Sequence, residues 1–331
     1  MMKIDLTQEI LNKHYAFGIG MEKNQTQRIS CKDKLNEKIQ SAKDLDVKKL
    51  LVFLKNNIKE ILIGTPEVLY SIISAVNKRK LFLLNNNKTK WNDFMEICKD
   101  VFVKDYDQFV DRELGLYDYW SAYKYLQELD VTICPYCNSQ FVFHYYTDEG
   151  KSRPVLDHYF SKSDYPYLAI SIQNLIPCCK VCNSDFKGTK KMEYNLNPFK
   201  EGFEDMAYFE KRIHKKENLD HYSSIIGEST NYDIIINFNR APRALKEKIK
   251  RNSQLFHIED IYNSYHKRYL NDLIIKSRIY NELYLSQLSE TFNKLFNNHT
   301  EMKKHLIPDE NEMNKVILSK LTKDIVQREL E

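Results

Sequence analysis

The chain has 331 residues, of which 42% are hydrophobic, so it is long enough to form one or more packed domains. Its 50 basic and 46 acidic residues leave a formal net charge of +4. Contact with a polyanion would therefore depend on local clusters of charge and not on the field of the whole molecule. Eight glycines and eight prolines are few for this length, which argues against a loop-rich protein and favours a mostly helical one.

Signals for membranes and secretion are missing from the sequence. No apolar run approaches the ~20 residues needed to cross a bilayer, and the N-terminal residues hold no apolar core of signal-peptide length. We therefore expect a cytoplasmic protein with no membrane partner. The seven cysteines of a cytoplasmic chain are poor candidates for a disulfide framework. Four of them form two tight pairs, which favours metal binding.

Residues 1–129 predict helices. In DLDVKKLLVFLKNNIKEILI the apolar residues recur on one face at helical spacing, and they are Leu50, Leu51, Leu54, Ile58 and Leu62. PEVLYSIISAVNKRKLF begins with a proline, which is common in the first turn of a helix. These amphipathic helices hold no cluster of polar side chains, so we expect this region to be an interface with a partner or with a second copy.

The pattern changes after residue 130. QFVFHYY and RPVLDHYF are rich in β-branched and aromatic residues and predict strands, and NLIPCC is a short apolar segment. CNSDFKGTKK predicts the start of a polar helix. Residues 201–331 predict a mainly helical region with a short strand segment at NYDIIINFN. The sequence therefore predicts an α+β fold, mostly helical, with regions at 1–129, 130–200 and 201–331.

Two Cys-x-x-Cys pairs predict a metal site. They are Cys134 with Cys137, and Cys179 with Cys182. Two residues between thiols form a tight knuckle, and two knuckles complete the tetrahedral Cys₄ geometry of structural zinc. Cys178 could replace Cys179, but the spacing of the first pair favours Cys179. A closed Cys₄ site has no open position for water, so we expect this Zn²⁺ to be structural and not catalytic.

The segment between and around these pairs carries a family resemblance. After the first cysteine pair come LDHYFSKS and then NLIPCCKVCN. This order resembles the zinc-braced branch of the HNH endonucleases over residues 134–191, less than a fifth of the chain. The resemblance implies a small ββα-metal nuclease core flanked by the two helical regions. In that fold, a strand ends at the first histidine, a second begins near the middle asparagine, and a helix carries the last ligand.

The resemblance also implies roles for four residues. His158 would be the general base that deprotonates the attacking water, a task suited to an imidazole near neutral pH. Asp157 and Asn183 would hold a catalytic Mg²⁺ or Mn²⁺ through oxygen atoms. Asn174 would hydrogen bond the backbone and hold His158 in position. The third position is Asn here and not His, and its amide still offers an oxygen to the cation.

Each of these residues also has a simpler interpretation. An Asp-His pair at the end of a strand is more often a surface pair, Asn174 alone would be a turn residue, and Asn183 alone a helix cap. Their joint spacing within one frame of cysteines favours a metal-dependent endonuclease. The alternatives are a zinc-stabilised module that binds nucleic acid or protein without cutting, and a stand-alone restriction-type enzyme.

Basic residues offer contacts to a nucleic acid, DNA or possibly RNA. Four candidates lie within or shortly after the second cysteine pair: Lys180, Lys187, Lys190 and Lys191. A further cluster in NRAPRALKEKIKRN fits a phosphate contact and a solvated helix face equally well. No element resembles a base-reading module, so the sequence indicates no sequence specificity.

The motif together with YNLNPF resembles, more narrowly, the HNH nuclease subunit of Septu-type and retron-associated anti-phage defence systems. The resemblance implies an ATPase partner. This sequence has no G-x-x-x-x-G-K-[ST] phosphate loop, so ATP hydrolysis would belong to that partner. We therefore expect the chain to associate with an ATPase subunit or to form a homo-oligomer.

Overall fold

The computed structural model describes residues 1–22, 29–111, 119–147, 149–215, 220–292 and 307–330. The helices are α1 Gln8–Ile19, α2 Cys31–Ser41, α3 Leu45–Asn56, α4 Ile58–Ile63, α5 Pro66–Leu84, α6 Lys88–Cys98, α7 Lys104–Asp111, α8 Ala122–Leu129, α9 His221–Ile226, α10 Arg243–Leu255, α11 Ile258–Tyr265, α12 Lys267–Ile279, α13 Glu282–Thr291 and α14 Ser319–Leu330. Residues 112–118 and 293–306, for which helix was also predicted, lie outside the described residues.

The N-terminal helices begin at side chains that cap them. Thr7, Ser30, Asp44 and Thr65 each accept a hydrogen bond from a backbone N–H in the first turn of the helix that follows. Such bonds satisfy donors that have no partner inside the helix. Pro66 stands in the first turn of α5, where its missing N–H costs nothing.

The long helix predicted at DLDVKKLLVFLKNNIKEILI is divided in two. Asn57 leaves the helical conformation between α3 and α4, and its side-chain amide donates to the Phe53 carbonyl at 2.7 Å. The apolar residues predicted to share one face are all buried nevertheless. An asparagine can bond its own backbone in place of the helical ladder, which explains the break.

Helices α6 and α7 form one continuous rod. A π-helical segment at Lys99–Val103 joins them, and the Lys104 N–H donates to the Lys99 carbonyl five residues earlier. The wider turn inserts an extra residue and re-aims the side chains that follow. Tyr106 on α7 then lies against the centre of the predicted nuclease segment.

The strands form three separate antiparallel pairs in the described part of the chain. They are β1 Tyr145–Tyr146 with β2 Lys151–Ser152, β3 Val155–His158 with β4 Leu175–Cys178, and β5 Tyr208–Ile213 with β6 Tyr232–Asn237. The strand predicted at QFVFHYY is mostly irregular, because only its last two residues form a strand, while Phe141 makes an isolated bridge with Ile133. The α+β, mostly helical fold class is confirmed.

One contiguous apolar core contains buried residues from all three predicted regions. It extends from Met1 to Ile325 and includes Leu156 and Ile176 of the β3–β4 pair. That hairpin is therefore built into the centre of the molecule and is not an appended module. None of the helices in the described ranges is both long and apolar enough to span a bilayer.

Candidate functional site

The four paired cysteines converge. The sulfur atoms of Cys134, Cys137, Cys179 and Cys182 lie within 4.8 Å of one another, and all four residues are buried. Zn–S bonds of about 2.3 Å in a tetrahedron place sulfurs about 3.8 Å apart. The cluster can therefore hold one metal ion and is compatible with structural zinc. Cys178 is not part of the cluster, and it lies at the end of β4, opposite Val155.

The chemistry of the cluster also suits a metal. The Cys182 N–H donates to the Cys179 sulfur at 3.4 Å, so the knuckle's own backbone supports its thiolate. A hydrogen bond from Cys134 holds the pKa of Cys137 well below that of an ordinary thiol, whereas burial raises the pKa of Cys134 and a hydrogen bond with Cys134 raises that of Cys182. The thiolate is the form that binds metal ions, so the protonated thiols would lose their protons when an ion binds.

The first knuckle is tied to distant parts of the chain. The Tyr262 hydroxyl donates to the Cys137 carbonyl at 2.8 Å. Asn138, in the left-handed conformation at φ 54°, accepts at its carbonyl from Leu318 N–H at 2.8 Å and at its side chain from Lys320 N–H at 3.1 Å. Helices α11 and α14 are therefore anchored directly on the cysteine knuckle.

The second knuckle leads into a short helix that lies against the hairpin. Strands β3 and β4 pair with His158 opposite Leu175, and a π-helix follows at Val181–Lys187. It ends where Gly188, at φ 50°, donates to the Asn183 carbonyl at 2.9 Å. The elements thus occur in the order strand, strand, helix, as the sequence predicts.

His158 is held in one tautomer. Its Nε2 lies 2.9 Å from the Ala169 carbonyl, and because a carbonyl can only accept, Nε2 must carry the proton. Nδ1 is then unprotonated in the neutral ring, and it makes no hydrogen bond with any residue that the structure describes. Burial lowers the pKa of His158 to about 3, so the imidazole is neutral at physiological pH.

Two residues that the sequence interpretation missed surround this ring. Tyr106 contacts the imidazole edge to face, with ring centroids 4.6 Å apart. The Lys162 ammonium lies 4.9 Å from the centroid of the Tyr106 ring, and its charge also lowers the pKa of His158. Lys162 is exposed and makes no ion pair within the described ranges. Its position four residues after His158 in LDHYFSKS was the available signal.

Asn174 closes the loop between the two strands. Its Oδ1 accepts from the Phe160 N–H at 2.7 Å, and its Nδ2 donates to the carbonyls of Phe160 and Leu168, each at 3.0 Å. The residue is fully buried. Leu168 precedes Ala169, whose carbonyl orients His158, so the Asn174 amide supports the imidazole through this loop.

Asp157 points away from His158, because successive residues of a strand face opposite sides. Its carboxylate is buried, and both oxygens are bonded. Oδ2 accepts from the Tyr136 hydroxyl at 2.7 Å, and Oδ1 pairs with the Lys187 ammonium, which also donates to the His158 carbonyl at 2.8 Å. Tyr136 lies inside the first knuckle, and Lys187 ends the helix that follows the second.

The predicted nucleic-acid contacts need one correction. Lys187 is 6% exposed and bonded to Asp157, so it is a structural cation in this arrangement and cannot contact a phosphate. Its place at the hairpin side of the helix explains its burial. Lys180 is exposed, Lys190 donates to the Phe186 carbonyl at 3.0 Å, and Lys191 pairs with Asp164 at 3.2 Å.

The residues expected to hold a divalent cation fit it only in part. Asn183 is partly exposed, and its Nδ2 donates to the Ser184 hydroxyl at 3.3 Å, which leaves Oδ1 without a hydrogen bond to any described residue. Asp157 has no free oxygen because Tyr136 and Lys187 occupy both. Mg²⁺ prefers oxygen ligands, so Asp157 fits it only after the Lys187 ammonium has moved away.

Comparisons with known proteins identify no relative. The chain matches no family model, no curated protein and no solved structure. Its function must therefore be argued from the geometry of the site.

Proposed function

We propose that this protein is an endonuclease that hydrolyses phosphodiester bonds in nucleic acid, DNA in the first instance. The observation that carries the proposal is the hydrogen bond from His158 Nε2 to the Ala169 carbonyl at 2.9 Å. It leaves Nδ1 as a proton acceptor at the end of a strand, on a hairpin backed by a short helix. A fixed, neutral imidazole is the group that a hydrolase uses to deprotonate water.

The residues around His158 have consistent roles in this reaction. His158 Nδ1 takes the proton from the attacking water. Lys162, exposed and unpaired within the described ranges, lies where it can contact a substrate phosphate. A bound phosphate brings negative charge near the ring, which raises the pKa of His158 from its low value in the free protein. Asn174 acts only through the loop that it holds.

A divalent cation, Mg²⁺ or Mn²⁺, belongs to the same proposal. Asn183 Oδ1 would hold it, together with Asp157 once Lys187 has released the carboxylate. When bound, such an ion stabilises negative charge on the phosphate and the leaving oxygen. The Cys₄ cluster would hold a structural Zn²⁺, since four thiolates leave no position open for water.

The pairing of Asp157 favours a second candidate function. A carboxylate with both oxygens bonded by Tyr136 and Lys187 is a structural group as it stands. A zinc-stabilised module that binds nucleic acid without cutting it would need nothing more from Asp157. The two candidates differ in one measurable property, which is cleavage in the presence of added Mg²⁺.

The test is a plasmid cleavage assay with the wild-type chain, His158→Ala and a matched control, His144→Ala. We expect the wild type to cut with Mg²⁺, and His158→Ala to be slower by roughly 10²–10⁴-fold because it lacks the base. DNA affinity and zinc content should be unchanged in both variants, and His144→Ala should cut at the wild-type rate.

Two outcomes contradict the proposal. If His158→Ala cuts as fast as the wild type, His158 is not the base. If the wild type binds DNA and retains zinc but never cuts with Mg²⁺ or Mn²⁺, the non-catalytic module is the correct function. Association with an ATPase subunit, which the resemblance implies, stays a prediction and is not needed for this test.

A further inference from the structure

A cavity lies away from the candidate catalytic site. It occupies about 460 Å³ between the β5–β6 hairpin and helix α10. This volume falls within the range of small-molecule sites in proteins, about 300–1,000 Å³. The lining residues come from both strands, from α10 and from the start of α11. Six of them could contact a ligand through charge, a hydroxyl or an aromatic ring: Arg212, Phe238, Lys246, Glu247, Lys250 and Ser253.

Three cations of this lining make no ion pair. Arg212 lies on β5, while Lys246 and Lys250 lie one turn apart on α10. In the described part of the chain, none of the three makes an ion pair or a side-chain hydrogen bond. By contrast, Lys248 on another face of α10 pairs with Glu201. Unpaired cations from two elements that converge on one cavity indicate an anionic ligand.

A serine hydroxyl adds to this lining. Ser253, one turn beyond Lys250, is 8% exposed and lines the cavity. Its hydroxyl makes no hydrogen bond with any described residue, so it can bond an oxygen atom of a ligand in the cavity.

The rest of the cavity lining contains both apolar and acidic residues. Phe238 and Ile235 form an apolar wall, which suits a flat ring. Two carboxylates are also present. Glu259 is held by the Ile236 N–H at 2.7 Å, whereas Glu247 is exposed and makes no ion pair within the described ranges. A free carboxylate beside cations suits a ligand that carries hydroxyl donors as well as negative charge.

We propose that this cavity binds a nucleoside phosphate. The phosphate would contact Arg212, Lys246 and Lys250 and accept from the Ser253 hydroxyl. The base would pack against Phe238, and sugar hydroxyls would donate to Glu247. A free nucleotide and a nucleotide within a DNA strand share this chemistry. The proposal does not rest on the endonuclease activity, because binding is measured without cleavage.

The test is isothermal titration calorimetry on the full chain without added divalent cations. ATP, AMP and a short DNA duplex are the probes. The double variant Lys246→Ala, Lys250→Ala removes two cavity cations, and the control Lys248→Ala, Arg251→Ala removes the same charge from the same helix outside the cavity. We expect the cavity variant to weaken binding by about 10–100-fold, from the loss of charge-assisted hydrogen bonds. The control should stay within about twofold.

The pattern of binding identifies the source of the phosphate. Nucleotide binding that the cavity variant alone weakens supports a free nucleotide. DNA binding with the same dependence, in the absence of nucleotide binding, supports a strand of DNA. No binding of any probe, or equal weakening by both variants, overturns the proposal. Arg212→Gln and Ser253→Ala repeat the test if the double variant does not fold.

Discussion

The Cys₄ cluster and the site around the Asp157 carboxylate are built from the same two segments. They differ in the group that would balance their negative charge. In the cluster, four buried sulfurs converge so closely that they could hold one metal ion. Asp157 lies beside it and is already neutralised by Lys187. One knuckle supplies Tyr136 to this carboxylate, and the helix after the other knuckle supplies Lys187.

The cysteine cluster and the Asp157 carboxylate would therefore have different roles in bringing the two segments together. A cluster of four converging thiols would bind a metal ion, and that ion would control whether the two segments come together. The buried carboxylate needs only the segments themselves, because they carry its partners. A bound metal ion would therefore set the positions of Tyr136 and Lys187, and through them the strand that ends at His158.

The largest effect should come from the cluster. Cys179→Ala removes one ligand and should release the metal and unfold the segment around the hairpin, since a structural Cys₄ site contributes directly to folding. Cys178→Ala removes the adjacent thiol, which lies outside the cluster, and should keep full metal content with only a modest loss from the cavity. Metal analysis and thermal melting distinguish the two. Equal metal content in both variants would show that Cys179 is not a ligand.

Removing the counter-ion of the Asp157 carboxylate should have a smaller but still large effect on the free energy of unfolding. Lys187→Met leaves Asp157 buried and without a counter-ion, so we expect the free energy of unfolding to fall by about 3–5 kcal/mol. Lys190→Met is the control, because its ammonium is exposed and bonds only the Phe186 carbonyl. It should cost less than about 0.5 kcal/mol. Chemical denaturation measures both.

A double variant sharpens this test. Adding Asp157→Asn to Lys187→Met removes the unpaired charge and should recover part of the lost stability, which a double-mutant cycle measures as coupling. Simple additivity of the two single effects would mean that the ion pair carries no coupling energy. The metal content should stay at one ion per chain in all of these variants, because the thiols are untouched.

The smallest effect should be a pH dependence from His158. Burial lowers its pKa to about 3 in the folded protein, against about 6.5 in the unfolded chain. Between these values the unfolded state binds one more proton, so the free energy of unfolding falls as pH falls, by about 1.4 kcal/mol per pH unit at this site. It is constant above pH 6.5. Denaturation at pH 5 to 7 should show a slope that is steeper by this amount in the wild type and in His144→Gln than in His158→Gln, which keeps the slope of His266, whose pKa burial also lowers. Parallel slopes in all three would contradict the burial of a neutral imidazole.

The parts of this site that could be predicted from the sequence are those that depend on residues close together in the chain. Two residues between cysteines define a knuckle, and Asn174 stands directly before β4, so both positions follow from the local chain. The partners of Asp157 and His158 do not. Tyr106 reaches the imidazole from the rod of α6 and α7, where a π-helical turn of ordinary sequence sets its direction.

The burial of Lys187 also could not be predicted from the sequence. In the sequence, it is one of several lysines near the second cysteine pair, and nothing in its neighbours separates it from Lys190. Its burial depends on the hairpin that lies against its helix, which is a contact across 30 residues. The helices were more predictable, since capping residues and apolar periodicity act locally, although Asn57 divided one of them.

The bonds at Asn138 bear on the order in which the molecule assembles. The knuckle meets Tyr262 across 125 residues and Lys320 across 182. Closing loops of that length costs conformational entropy before any contact repays it, and chains rich in such contacts fold slowly. The knuckle itself closes locally and quickly. We therefore expect helices α11 and α14 to dock late, onto a turn that is already formed, and loss of the metal that the cluster could hold would leave these helices without a surface to dock on.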